Sequence, residues 1–563
     1  MFKISMKKVK KYYGTRLLLD IEDFKVYEND KIGIVGVNGA GKTTLLEIIN
    51  KSIDYNSGEL FYDKNTVIKY IPQLGEPNRK TISGKYASIF QVEDNWNNNM
   101  SGGEKTRFKL AEGFENSNSL LLVDEPTNNL DIDGIELVIK NFNDYKGPFI
   151  VVSHDRNFLD SVCNKMLEID NAICKIYNGN YSKYLELKEM ENTRKSFEYK
   201  EFINEKNRLT NIKRDLENRS AKVKTTPKRM GNSEARLHKM GGQANKAKLD
   251  RTAKSVEKRI EHLDEKEKPV NQDIIKIKIL ESTKPYNKIL ISGENLNKSY
   301  GENVIFRNAE FNINNGKKTA LIGPNGSGKT TLINMILDKE NINISKNVRI
   351  GYFSQTLNIL DEDKTILENV MEESIHNDKM ARLILARLLI KGEKVFEKLK
   401  ILSGGERVKV SFAKIILEDI NFLILDEPTN YLDINSLEVI EELLKNYDGS
   451  ILFVSHDIRF IENICDELLI IDDKKIECFR GNYKEYMKDR SKKQVTSNEK
   501  NIENGIMILK NQISSLLSKI SIEQSEEKKA EYDREYALKL EELAKLYKMI
   551  REYNANKLEE NHK

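Results

Sequence analysis

Two stretches of this chain have the residue types and spacing to hold a triphosphate. The first reads Gly36-Val37-Asn38-Gly39-Ala40-Gly41-Lys42-Thr43-Thr44 and the second Gly323-Pro324-Asn325-Gly326-Ser327-Gly328-Lys329-Thr330-Thr331. Both satisfy G-x4-G-K-[ST]. Glycines at 36, 39 and 41, and again at 323, 326 and 328, let backbone N–H groups turn inward around anionic phosphates. The positive end of a following helix adds to that field. Lys42 and Lys329 bring a point charge to the β- and γ-phosphates, and the Thr43 and Thr330 hydroxyls suit Mg2+. The chemistry provided is phosphoryl transfer, in which positioning and charge stabilisation outweigh covalent steps.

Such loops need a strand before them and a helix after them. The apolar runs Ile32-Gly33-Ile34-Val35 and Thr319-Ala320-Leu321-Ile322 supply the strands, and helical patterns open at Thr43 and Thr330. Further residues recur downstream. Ser101-Gly102-Gly103-Glu104 returns as Ser403-Gly404-Gly405-Glu406. Asp124-Glu125, closing the apolar run Leu121-Leu122-Val123, returns as Asp426-Glu427, and His154 returns as His456. All three repeat at an offset of 302 residues, whereas the two loop lysines are 287 apart. The chain is therefore one module duplicated, with a length difference between phosphate loop and Ser-Gly-Gly-Glu. From Gln73 to Ser101 is 28 residues and from Gln355 to Ser403 is 48, so the intervening helical subdomain is cut down in the first copy.

Composition bounds the rest. The 563 residues are 39% hydrophobic and 32% charged with a net charge of +4, enough for two cores and a large solvated or nucleic-acid-facing surface. No run approaches the roughly 18–20 apolar residues of a spanning helix, and Met1-Phe2-Lys3-Ile4-Ser5 lacks the apolar stretch of a signal peptide. The expectation is a cytoplasmic protein with no membrane partner. Four cysteines, Cys163, Cys174, Cys465 and Cys478, have no metal-ligand spacing and read as buried structural thiols of a reducing compartment.

Between the modules, residues 186–287 are densely charged. Glu186 to Lys222 has no glycine or proline and predicts one long helix, and a second fits Lys246 to Glu267, stopped by Pro269. About forty helical residues reach about 60 Å, so the pair forms a projecting hairpin. From Arg219 to Lys254 there are eleven Lys or Arg against two acids, a net of +9. Lys222, Lys224, Lys228, Arg229, Arg236 and Lys239 are the candidate contacts to a phosphate-rich partner, read here as RNA. Pro227, Gly231, Gly241 and Gly242 break the helices and leave a loop whose tip carries Met230, Leu237, His238 and Met240. A tail of 76 residues after Met487 has two apolar stripes at helical spacing, Ile502 to Ile520 and Tyr536 to Ile550, and predicts a second helical hairpin.

The ordered motifs resemble those of the ABC ATPases over roughly residues 1–185 and 288–487. That resemblance implies an α/β fold of two tandem ABC-type P-loop ATPase modules, here joined by a helical hairpin linker (186–287) and followed by a helical extension (488–563). It implies ATP and Mg2+ as cofactors. Asp124 and Asp426 would hold Mg2+ with Thr43 and Thr330, and Gln73 and Gln355 would sense the metal and the γ-phosphate. Glu125 and Glu427 would orient or deprotonate the attacking water, with His154 and His456 on the γ-phosphate. Tyr13 and Tyr300 would stack on adenine, although Tyr12 competes with Tyr13 for that place. The sites would be composite, with Lys42, Asp124 and Glu125 facing Ser403, Gly404 and Gly405. Lys329, Asp426 and Glu427 would correspondingly face Ser101, Gly102 and Gly103.

Twin modules without a membrane part, joined by a long basic hairpin, resemble the ABC-F proteins. The short first subdomain and extended linker tip are similar to that family's antibiotic-resistance branch. This implies a monomer that closes on ATP and binds the bacterial 70S ribosome at the tRNA exit site. Its partners would be 23S rRNA and P-site tRNA and not DNA. The linker would point toward the peptidyl-transferase centre, protecting against lincosamide, pleuromutilin and streptogramin A drugs. A housekeeping ABC-F translation factor is the alternative. The ATPase subunit of an exporter would need the coupling surface that module one has lost. A DNA-acting ABC ATPase would carry its coiled coil inside a module and not between modules.

Overall fold

The structure is a computed structural model that describes residues 2–115, 119–224, 229–237, 242–264, 285–354, 359–429, 432–522, 528, 534–545 and 547. Short runs such as Leu121-Leu122-Val123 have no polar alternation, as expected of strands covered on both faces. They form a parallel core. In module one the spatial order is Ile68–Ile71, Leu120–Asp124, Phe149–Val152, Lys31–Val35 and Lys165–Asp170. The sheet continues through Ile173–Asn178 into antiparallel Arg16–Tyr27, Phe2–Tyr13 and Ser57–Tyr62. Module two repeats the parallel core as Ile350–Phe353, Phe422–Asp426, Ser450–Val454, Lys318–Ile322 and Glu467–Asp472, edged by Lys475–Phe479. Its three antiparallel strands, Asn303–Asn314, Ile289–Tyr300 and Ile342–Ile344, form a separate sheet.

Strand alternation assigns each side chain to a layer. Leu121 and Val123 pack with Phe142, Phe149 and Phe158, whereas Leu120 and Leu122 pack with Leu45, Leu46 and Ile48 of the helix Lys42–Ile49 that follows the phosphate loop. In register, Gly33 lies between Val151 and Met166, and Leu321 between Val454 and Leu469. The loop at the end of each such strand is therefore held at the centre of its sheet. The spacing difference between the copies is structural. Module one has the seven-residue helix Gly84–Phe90 before its Ser-Gly-Gly-Glu helix, where module two has Ile366–Met371, Asp378–Arg387 and two 3-10 turns.

The linker helix runs from Tyr181 to Lys222 over 42 residues, across the expected boundary at 185. It packs along Gln243–Glu261 through buried Leu209, Ala253 and Val256, with Ser220 Oγ donating to Asp250 Oδ1 at 2.5 Å. That second helix starts a turn before the expected Lys246, because Gly242 already frees the chain to enter it, and ends at Glu261. The tip is not wholly a loop. Asn232–Leu237 forms a short helix, its start marked by Asn232 and by Glu234 in the first turn, signals that the flanking glycines obscure. The C-terminal helix Tyr483–Ile522 likewise begins before Met487, and Lys510 Nζ stands 5.6 Å from the Tyr547 ring centre, joining the two apolar runs. Leu546 and Ile550 lie outside the described residues. Among the described residues no helix is long and apolar enough to cross a membrane. The four cysteines are unpaired; Cys163 and Cys465 are buried, Cys174 is half-buried, and Cys478, contrary to expectation, is exposed because its edge strand faces outward.

Phe142 is fully buried edge-on against Phe114, Phe149 and Phe158. Phe142→Ala is expected to cost about 3–5 kcal/mol in module one. The check is a lower urea midpoint for that module's unfolding, with the module-two transition unmoved.

Candidate functional site

Each phosphate loop is built on glycines in conformations or spaces that disfavour a side chain. Gly41 and Gly328 cap their helices at φ 100° and 104°, and a Cβ on Gly328 would lie 2.4 Å from Ile305 Cγ2. Lys42 Nζ donates to the carbonyls of Gly36 at 2.8 Å and Val37 at 3.3 Å, and Lys329 Nζ to those of Gly323 at 2.8 Å and Pro324 at 3.0 Å. Each lysine is thus curled over its own loop. Burial lowers both lysine pKa values, against the pull of nearby carboxylates.

Thr43 Oγ1 donates to Asp124 Oδ2 at 2.8 Å and Thr330 Oγ1 to Asp426 Oδ2 at 3.3 Å. Hard oxygens in pairs, completed by phosphate oxygens and water, fit Mg2+. Among the described residues no group of three or more His, Cys, Asp or Glu could hold a metal ion.

Glu125 and Glu427 follow those aspartates at φ 52° and 51°, in the left-handed region that side chains avoid. The cost is of order 1–3 kcal/mol each, kept in both copies, and it turns the carboxyl out of the strand line into the site. His154 N donates to Glu125 Oε2 at 3.3 Å. The imidazole Nε2 atoms of His154 and His456 lie 3.5 and 3.2 Å from Oε1 of their glutamates. Burial and the loop lysines depress the histidines to about 3 and about 4, so both are neutral and neither contact is an ion pair. Burial, with the neighbouring aspartate, pushes Glu125 and Glu427 up to about 8. Oε1 of each is buried without a hydrogen bond, an acceptor aimed where a water could be positioned for attack.

Ser101 and Ser403 sit at the N-caps of the helices Gly102–Phe114 and Gly404–Leu417. Glu104 and Glu406 reach back to accept from the serine N–H at 2.8 and 3.0 Å, which gives the fourth letter of Ser-Gly-Gly-Glu a structural task. Both helix N-termini open onto one cavity of about 1080 Å3, shared between the modules. Into it face both phosphate loops with Asn38 and Asn325, Thr44 and Thr331, Gln73, both Asp-Glu pairs, both histidines and the glycines after each serine. Tyr300 lines it too; Tyr13 lies outside its lining, and both tyrosines are exposed. Gln355 is outside the described residues.

Several contacts across the modules were not legible as function in the sequence. Asn325 N donates to Asp131 Oδ2 at 3.0 Å and Asn325 Nδ2 to Asn129 O at 3.1 Å, tying the second phosphate loop to the segment after Glu125. Asp433, at the 302-residue offset from Asp131, acts on Lys42 and His154 from the other side. Buried Arg156 bridges Glu441 and Asp457 of module two, the latter at 3.1 Å. The recurrence of Asp131 and Asp433 was the available signal.

At the far end of the linker, Lys222, Lys224, Arg229 and Arg236 are exposed, Met230 is half-buried and Leu237 is 84% exposed. Lys228, His238, Lys239 and Met240 lie outside the described residues.

A family model described as ABC transporter matches residues 19–99 and 306–430. The ribosome protection protein VmlR of Bacillus subtilis is 33% identical over 467 residues, 80% of this chain and 83% of that protein. The erythromycin resistance ATP-binding protein MsrA of Staphylococcus epidermidis is 34% identical over 459 residues, covering 80% and 93%. Among solved structures, the RNase-L inhibitor superposes with a TM-score of 0.56 at 19% identity, covering 85% of this chain and 92% of that one, a likeness of fold.

A glutamate that must lose its proton to serve as base makes turnover rise as pH passes upward through about 8, the value to which both are pushed. Glu125→Gln with Glu427→Gln is expected to retain ATP binding, lower turnover by at least 100-fold on the order of general-base contributions, and remove that rising limb. Phosphate release measured across pH checks all three.

Proposed function

This chain belongs to the ABC-F family of ATPases, and from that premise we propose that it is a ribosome-binding ATPase that protects the large subunit from antibiotics. The observation that carries the reading is the join of a two-sided ATP cavity to a basic helical hairpin about 60 Å long. ATP held between the Lys42 loop and Ser403, and between the Lys329 loop and Ser101, adds phosphate contacts to both modules at once, so nucleotide favours closure and hydrolysis releases it. Mg2+ would be held by Thr43 with Asp124 and by Thr330 with Asp426, and Glu125 and Glu427 would activate water. The similarity to VmlR, a ribosome protection protein, and to MsrA, an erythromycin resistance protein, supports the ribosome as partner.

In this reading the linker enters from the tRNA exit site of the 70S particle toward the peptidyl-transferase centre, beside P-site tRNA. Lys222, Lys224, Arg229 and Arg236 neutralise 23S rRNA phosphates. The tip acts by shifting an RNA conformation that the drug cannot occupy, which needs differential affinity and no overlap with the drug. The resemblance to the antibiotic-resistance branch is what supports lincosamides, pleuromutilins and streptogramin A as the drug classes. A housekeeping translation factor is the second reading. The shortened subdomain of module one, reduced to the helix Gly84–Phe90, favours the first.

The test is co-sedimentation with 70S ribosomes. The Glu125→Gln, Glu427→Gln double variant is expected to pellet with ribosomes in ATP and not without it; free protein in both conditions would overturn the reading. Changing Lys222, Lys224, Lys228 and Arg229 to Gln is expected to flatten the dependence of log affinity on log salt by about 0.7–0.9 per RNA phosphate that is no longer neutralised. Replacing residues 229–241 with a Gly/Ser turn is expected to leave ATPase turnover intact and abolish drug protection, scored as the inhibitory concentration in a susceptible host.

A further inference from the structure

The linker helix takes root inside the module interface. Asn180 caps it, its side chain accepting from Lys183 N at 3.1 Å, and Tyr181 is fully buried. Asp160, on the module-one helix Arg156–Val162, accepts from Ser182 N at 2.6 Å and from Ser182 Oγ at 2.9 Å. Arg459, on the module-two helix Ile458–Ile464, crosses the interface to this point. Its Nη2 donates to Asp160 Oδ2 at 2.8 Å and to Ser182 Oγ at 3.0 Å, and its guanidinium lies 5.3 Å from the centre of the Tyr181 ring. One side chain therefore ties module two to a module-one helix and to the first turn of the linker. A charge-assisted bond combined with an aromatic face, partly shielded from water, uses the planar fork that lysine lacks.

The internal repeat supplies a comparison. Gly179-Asn180-Tyr181 recurs as Gly481-Asn482-Tyr483 at the root of the C-terminal helix, at the same 302-residue offset. There the residue matching Arg459 is Asn157, and the residue matching Asp160 is Glu462, which pairs inside its own module with Lys484 at 3.4 Å. The cross-module ion pair near that root, Arg490 with Asp133, is looser at 3.9 Å and lies two turns along the helix. The crossing arginine at this position thus serves the linker root and has no counterpart at the tail root.

We propose that Arg459 couples closure of the two modules to the direction of the linker. When the modules come together, Arg459 docks on Asp160, Ser182 and Tyr181 and fixes the exit angle of the helix Tyr181–Lys222. When they part, the guanidinium leaves, and the first turn keeps only its module-one partners, Asp160 at Ser182 and Glu168 at Tyr184 Oη. A small rotation at the root is a large displacement at the end of a rigid helix about 60 Å long. The proposal rests on closure around ATP and is independent of what the linker touches.

Double electron–electron resonance on the full chain tests it, with Cys174 and Cys478 changed to serine. Spin labels at Glu59→Cys and Asn207→Cys, both exposed positions, report linker direction, and labels at Glu59→Cys and Glu310→Cys report closure. AMP-PNP with Mg2+ is expected to narrow both distance distributions in the parent. In Arg459→Met the closure distance is expected to shift as in the parent, while the linker distribution stays as broad as without nucleotide; Arg459→Lys is expected to fall between them. A linker distribution in Arg459→Met as narrow as the parent's would overturn the coupling. So would loss of closure in that variant, which would make Arg459 an ordinary interface residue. If AMP-PNP fails to bring the parent's modules together, the closure reading fails and the coupling falls with it, a result the second label pair reports separately.

Discussion

Neither phosphate loop is a finished site within its own module. The Lys329 loop is met by Asp131, which accepts from Asn325 N, and the Lys42 loop feels the charge of Asp433, each from the other half of the chain, and both serine-capped helix ends line the same cavity. This shared construction is the constraint from which the remaining architecture follows. Two modules must be present, they must meet face to face, and whatever is tied to both of them moves when they do. The parallel sheets serve it by placing each loop, each Asp-Glu pair and each histidine at the ends of adjacent strands.

The interface carries costs that fit this use. Arg156 is buried against Glu441 and Asp457, and burying three charges is worthwhile only where the partners are held in good geometry. Removing one partner would leave an uncompensated charge, so the closed arrangement is specified by chemistry as well as shape. The left-handed glutamates add stored strain at the same place in both copies. The strain recurs at the same position in both copies, at the entry to the turn that Asn128 N closes on Glu125 O, and it sets the aim of the carboxyl. Neutral histidines beside glutamates raised to about 8 give the cavity a low charge before nucleotide enters, leaving the lysines and helix ends to meet the phosphates.

Much of this could be read from residues alone because the chemistry is local. Gly-x4-Gly-Lys-Thr specifies its own backbone shape, Leu121 to Asp124 specify a buried strand, and the glycine-free run to Lys222 specifies a helix. What escaped is tertiary. Nothing local distinguishes Arg156 and Arg459 from other surface arginines; only the meeting of the modules buries one and ties the other to the linker root. Tyr181 and Tyr483 of the repeated Asn-Tyr pairs are buried at the two helix roots, which explains why the helices begin earlier than charge density suggested. The short helix Asn232–Leu237 was hidden because neighbouring glycines outweighed its own start signals.

Cross-linking between the modules tests the shared-site construction most directly. Asn129→Cys and Asn325→Cys, introduced together in a chain whose Cys174 and Cys478 are serine, put thiols on two residues that touch across the modules, where Asn325 Nδ2 donates to the backbone oxygen of Asn129 at 3.1 Å. A short bismaleimide is expected to join them in high yield when ATP and Mg2+ are present, giving a species of altered gel mobility, and in lower yield without nucleotide. No cross-link in either condition, from a chain that still binds ATP, would contradict a site built from both modules.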